Sequence, residues 1–259
     1  MPEFVPVSPQ RHQGKYWQRF TSYAFARTAA VVPLVGAEMA KAAAALPVAF
    51  MPDGEGDAAR FVPAALLGFE SNVNLFVAPD GRWLGRYIPS FLRGHPFRLI
   101  NADQERMVLC IDESSGLLVD QGGEAFFDDQ GQLAPNLQAV MDFLTQVERN
   151  RAATQAICDK LQQHELIQPW PIKIAAGDAG ERNLNGLYRI DETALNQLSA
   201  EVLVELRDSG ALGMAYCQLL AMQQLGLIAD MAKAHQKQAV AANTRAFSLN
   251  DDNGNLRFD

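Results

Sequence analysis

The sequence predicts an α+β fold, with an antiparallel, hairpin-rich sheet in the N-terminal half and long amphipathic helices in the C-terminal half. Three observations carry this. From Val31 to Leu133 short apolar runs are cut by turns, Asp-Gly pairs at 53–54 and 80–81 supply hairpin chemistry, and from Pro135 the apolar residues recur at three- and four-residue steps. With 259 residues, 48% of them hydrophobic, the chain can bury a large core. It reads as one domain over residues 1–259, in which 1–22 is an extended N-terminal arm and 243–259 a mobile tail.

At the N-terminus, MPEFVPVSPQRHQGK puts prolines and charges where a secretory leader needs an apolar stretch, so no Sec signal is expected. The most apolar segment, Ala29 to Phe50, is interrupted by Glu38 and Lys41 and bracketed by Pro33 and Pro47, and it falls short of a membrane span. A cytoplasmic location without membrane insertion follows as the expectation. VVPLV, PVAF, FVPAALLGF, NLFVA, FRLI, MVLCI and EAFF are the expected strands, with Asp53-Gly54, Asp80-Gly81 and Asp129-Gln130-Gly131 as turns between some of them. NLFVA should pair with a strand beginning at Arg82-Trp83. Alternation then places Trp83 and Gly85 on one face and Arg82, Leu84 and Arg86 on the other.

From Pro135 to about Gln163, the spacing of Leu137, Val140, Met141, Leu144, Val147, Thr154, Ile157, Cys158 and Leu161 predicts a long helix with one apolar face. PIKIA and LNGLYRI, on either side of the loop GDAGERN, read as a second hairpin. Asp191 and Ser199 are placed as N-caps of two short helices, and Gly210 closes the second in a left-handed conformation. A last helix runs from Leu212 to about Lys237, with Leu219, Leu220, Leu225, Ile228 and Met231 as its apolar residues.

The net charge of −8 opposes general nucleic-acid binding, which needs an excess of Lys and Arg to neutralise phosphates. Cys110, Cys158 and Cys217 are far apart and sit in apolar runs, so they read as buried thiols. No phosphate loop, nucleophile elbow or zinc motif occurs, and no acidic pair has metal-site spacing. No cofactor or metal is therefore expected.

The segment from Asp80 to Arg106 carries Arg82, Arg86, Arg93, Arg98 and Arg106 interleaved with Trp83, Tyr87, Phe91 and Phe97. Arginine forks suit carboxylate or phosphate and aromatic faces suit stacking, which makes this stretch the candidate binding surface. The bland alternative is a solvated sheet edge whose arginine stems cover apolar area. Arg82, Trp83, Arg86, Tyr87, Arg93, His95 and Glu38 are the candidate binding residues, with Arg86 and Arg93 bracketing an anion and Tyr87 as its apolar wall. His95 has no nucleophile or carboxylate at a recognisable spacing, so a catalytic reading lacks its partner. His12, His164 and His235 read as surface residues. Glu38, in VGAEMAKAA, is read either as a buried carboxylate paired with an arginine or as a solvent-facing residue on a short helix, the second being favoured.

YAFARTAAVVPLVGAEMAKAAAALPVAF, FVPAALLGFESNVNLFVAPDGRWLGRYIPSFLRGHPFRL, MVLCIDESSGLL and NGLYRIDETALNQL together resemble the SapC family and cover most of the chain in order. The resemblance implies little chemistry. The family takes its name from a surface-layer locus, similar genes lie beside halogenase-like and hydroxylase-like enzymes and outer-membrane transporters, and no established catalytic residues carry over. The leading expectation is a non-catalytic accessory protein that recognises a protein or peptide partner through the Arg/aromatic segment. An enzyme of unfamiliar type in a peptide- or protein-modifying pathway, with His95 or Glu38 as acid/base, is second. A surface-layer structural protein is third.

Overall fold

A computed structural model describes residues 3–54, 60–103, 106–175, 181–235 and 237. The tail at 243–259 lies outside the described residues. In chain order the N-terminal half runs β1 (Phe4–Pro6), α1 (Pro9–His12), β2 (Tyr16–Trp17), β3 (Val31–Pro33), α2 (Met39–Ala43), β4 (Val48–Asp53), β5 (Arg60–Leu66), α3 (Ser90–Arg93), β6 (Phe97–Asp103), β7 (Arg106–Asp112), β8 (Leu118–Val119) and β9 (Glu124–Ala125). The remainder runs α4 (Pro135–Gln163), β10 (Ile167–Pro169), β11 (Ile172–Ala175), β12 (Glu181–Leu184), β13 (Tyr188–Ile190), α5 (Glu192–Asn196), α6 (Ala200–Asp208) and α7 (Ala211–Ala221). The class is α+β, with antiparallel sheets mainly in the first half and the long helices in the second.

Among the described residues the strands form four antiparallel sheets: β10-β13-β4-β5-β3, β1-β7-β6, β8-β2-β9 and the pair β11-β12. The five-stranded sheet carries the larger core, where Phe50, Leu66, Leu67, Cys158, Leu161, Leu206 and Ala215 are buried together. A second core lies under β6 and β7, where Phe97, Leu109 and Ile111 meet Trp17, Phe126, Leu137 and Leu144. α4 is long enough to serve both. Leu137 and Leu144 of its first half enter the second core, and Cys158 and Leu161 of its last turns enter the first.

Local chemistry sets several boundaries as the sequence predicts. Asp191 accepts from the N–H groups of Thr193 and Ala194, Ser199 accepts from Val202 N–H, and Gly210 sits at φ +80° between α6 and α7. α4 spans the predicted residues, with Pro135 in its first turn.

Three expectations need correction. NLFVA is not a strand: the Asn74 side chain accepts from Phe76 N–H and donates to Ala26 O, curling the backbone, and only Val77 bridges to Trp83. The second hairpin pairs differently, because Ile172–Ala175 meets Glu181–Leu184, partly inside GDAGERN, whereas Tyr188–Ile190 pairs with β10 and with Phe50 of β4. His12 is fully buried, its ring 4.9 Å from that of Phe126 and its Nε2 3.2 Å from Glu113 Oε1.

The last helix covers about the predicted residues. α7 passes through a 3₁₀ turn at Met222–Gln224 and continues to His235, a stretch long and apolar enough by length and composition to cross a membrane, which the sequence reading did not single out. Ala211, Met214, Ala215, Gln218, Ala221 and Ile228 form its buried face, while Leu220 is 66% exposed and joins Tyr216 and Leu227 on the other side. Gln218 fixes the packing, donating to Val48 O and accepting from Ile190 N–H.

Candidate functional site

The Asp80–Phe97 segment is anchored from beneath by Glu38, at the start of α2. Its carboxylate is 4% exposed and takes donors on both oxygens. Oε1 accepts from Val35 N–H (3.0 Å) and Ser90 Oγ–H (2.7 Å), and Oε2 accepts from the Tyr87 hydroxyl (2.6 Å) and Ser90 N–H (2.8 Å). Arg93 Nη2 stands 4.0 Å from Oε2. The solvent-facing reading of Glu38 is thereby overturned. Four hydrogen bonds to a carboxylate satisfy its charge inside the protein, where an unpaired one is strongly disfavoured. Burial and the Glu38 contact push the Tyr87 hydroxyl far above its ordinary pKa, so it stays a donor.

Asp80 and Gly81 make the predicted turn. Gly81 has φ +86°, and a Cβ there would meet Ser22 Oγ at 1.9 Å, so only glycine fits. The predicted alternation is present too: Trp83 and Gly85 are partly covered, whereas Arg82, Leu84 and Arg86 are exposed. Arg82 folds back onto Asp80 at 2.6 Å. Trp83 stacks on Phe76 and donates its indole N–H to Tyr87 O. Arg86 points outward and Tyr87 inward, so Tyr87 is not the wall of an anion site between Arg86 and Arg93.

After α3 the chain turns at Gly94, where a Cβ would press on Leu144 of α4 at 2.7 Å and on Phe97 O. This close approach seats Arg93 and His95 against α4. Between them lies a cleft of about 480 Å³, lined by Trp17, Arg19, Phe20, Tyr23, Arg93, His95, Phe97 and, from α4, Asn136, Ala139, Val140 and Phe143. The Arg93 guanidinium lies 5.2 Å from the Phe143 ring centroid and is 44% exposed. Arg19 covers Trp17 at 5.5 Å and pairs with Glu124 at 2.7 Å. The buried Trp17 indole N–H has no acceptor among the described residues.

His95 stacks on Phe25, the centroids 3.8 Å apart and the planes 10° from parallel. Burial drops its pKa to about 4, with Asp112 pulling upward and Arg98 downward, so the imidazole is neutral at physiological pH. Cys110 is no partner for it. Burial pushes that thiol up, and the Sγ–H points to Val108 O at 3.7 Å.

Of the residues singled out by sequence, Glu38, Tyr87 and Arg93 converge, Arg93 and His95 line the cleft, Trp83 is packed scaffold, and Arg82 and Arg86 face solvent. Trp17, Arg19, Phe20, Tyr23 and Phe143 were missed. The aromatic density of YWQRFTSYAF was the available signal for the first four. Phe143 looks in the sequence like one more residue of an amphipathic helix. Among the described residues, no group of three or more His, Cys, Asp or Glu could hold a metal ion.

The sequence pattern of the SapC family matches residues 7–227, a span that includes the cleft and most of both cores. No curated protein and no solved structure matches the chain.

Proposed function

Taking as premise that the chain belongs to the SapC family, we propose that it is a non-catalytic accessory protein that recognises a protein or peptide partner in the aromatic cleft, possessing no resident cofactor and working in the cytoplasm without entering a membrane. The observation that supports this reading is the cleft's composition. Phe20, Tyr23 and Phe143 give stacking area at low conformational cost, and Arg93 stands at the edge with its guanidinium partly free for an incoming carboxylate. Tryptophan, tyrosine and arginine are the residues on which interface energy concentrates, and 480 Å³ suits one large side chain with its flanking backbone. The partner chemistry that fits is an apolar or aromatic residue next to an acidic one.

Selection of a displayed random peptide library on the full chain tests this. Enriched peptides should carry an acidic residue beside an aromatic one; Arg93→Ala should weaken them about 10-fold or more, in line with about 1.5–3 kcal/mol for a charge-assisted bond, and Phe143→Ala should weaken them through lost apolar contact. Arg86→Ala should change nothing. No enrichment, or equal loss from Arg86→Ala, would sink the reading.

A further inference from the structure

On the far side of His95 from the cleft is a second, smaller cavity of about 130 Å³, lined by Phe4, Phe25, Phe91, His95, Arg98 and Asp112 among others. Strand register explains its contents. Phe97, Leu99, Leu109 and Ile111 turn into the second core, so Arg98 of β6 and Asp112 of β7, at alternate positions, stand on the opposite face, and Phe4 of β1 is registered directly against Asp112. Phe25, Ala26 and Ala29 close that face from the other side.

Two opposite charges share this cavity: Asp112 pulls the Arg98 pKa up against the burial that lowers it, but no direct ion pair joins them among the described residues. The Arg98 guanidinium lies between two rings, 4.8 Å from the Phe4 centroid and 4.6 Å from that of Phe91, and makes no hydrogen bond or ion pair among the described residues. Its five N–H donors therefore meet no acceptor among the described residues. Asp112 is buried, and all its donors go to one oxygen: Oδ1 accepts from Glu3 N–H (2.9 Å), Ser114 N–H (3.1 Å) and Ser114 Oγ–H (2.6 Å). Oδ2 receives none among the described residues.

We propose that this cavity binds a small amphoteric ligand, an α-amino acid with a compact apolar side chain, its carboxylate on Arg98, its ammonium on Asp112 Oδ2 and its side chain among the phenylalanines. A simple anion would face Asp112 and a simple cation would face Arg98, whereas a zwitterion meets both with the right sign. Neutral His95 adds no charge to upset the balance. A cavity of about 150 Å³ accommodates benzene, so a ligand of alanine to valine size fits and an indole does not.

Calorimetric titration of the full chain at neutral pH with L-valine, N-acetyl-L-valine and L-valine methyl ester tests the assignment. L-valine should bind saturably at one site in the millimolar range or tighter, and each blocked form at least about 10-fold more weakly. Arg98→Met, which keeps the stem between the two rings, should weaken L-valine about 10-fold or more at unchanged melting temperature. Asp112→Asn keeps the Oδ1 acceptor and should abolish the preference over N-acetyl-L-valine. Arg93→Ala, on the other side of His95, should leave L-valine binding intact, so the peptide reading and this one fail separately. Absence of saturable L-valine binding, equal binding of the three forms, or indifference to Arg98→Met would overturn the site.

Discussion

Each core joins a local hairpin to distant chain, but from opposite ends of the sequence, and the site lies where the two meet. In the larger, the β4–β5 hairpin pairs from Val48↔Ala65 to Asp53↔Arg60 and receives Tyr188, from the C-terminal half, against Phe50. In the smaller, residues from the start of the chain return to strands about a hundred positions later: Phe4 to Asp112, Trp17 to Leu118 and Glu124. Glu38 belongs to the larger core, yet its carboxylate holds the segment that carries Arg93 and His95 over the smaller one. A cleft built at such a seam takes its walls from one core and its rigidity from the other.

The largest expected effects come from breaking either core through α4. Leu161→Asp and Leu144→Asp each place an unpaired carboxylate in apolar packing, and neither should yield folded, soluble protein. The milder pair is more informative. Leu161→Ala and Leu137→Ala each empty a fully buried position and should cost about 2–5 kcal/mol. Because one helix serves both cores, a single melting transition should move in both variants, by about 2–4 °C per kcal/mol. Two transitions, with only one displaced by each variant, would show that the cores melt independently.

Next in size is Glu38→Ala. It strands the donors of Val35, Tyr87 and Ser90 and should cost about 3–5 kcal/mol, as removal of one member of a buried charged network does. Glu38→Gln keeps the shape but turns an amide N–H₂ toward groups that already donate, and should cost about 1–3 kcal/mol. Both should also weaken peptide binding in the cleft, although Glu38 does not line it. Thermal melts paired with affinities for one selected peptide check this. Lost stability with unaltered affinity would separate the hub from the site.

How much was legible follows from the same contrast. Where a signal is local it survives folding. The three- and four-residue spacing of α4, the caps at Asp191 and Ser199, the left-handed Gly210 and the Trp83/Arg82 alternation all stand as the sequence implies. Where the outcome depends on a distant partner the sequence misleads. Glu38 looks like a surface break in an apolar run until Tyr87 and Ser90, about fifty residues on, arrive with donors. NLFVA looks like a strand until the Asn74 amide reaches Ala26 O. Leu220 looks like core because spacing alone does not say which of two apolar helix faces finds a neighbour. Trp17 and Phe143 become cleft walls only because the N-terminal residues and α4 meet over the second core.

The smallest effect concerns His95, shared by both cavities. Its folded pKa of about 4 lies below the 6.5 of an unhindered imidazole, so between those values the unfolded chain binds more protons than the folded one. The stability that a neutral His95 supports is fully present above pH 6.5, declines as the pH falls through the window and is gone below about 4. Burial disfavours the imidazolium, Asp112 favours it and Arg98 opposes it, so burial decides the sign. His95→Gln removes the titration and keeps a polar side chain of similar length. Denaturant unfolding of wild type and variant across pH 4 to 7 should give a stability difference that changes with acidification, the wild type losing more, while the two curves run parallel above neutrality. A difference independent of pH would mean that His95 keeps an ordinary pKa and has water at its ring. It would then be a wall of the open cleft rather than the partition between cleft and inner cavity.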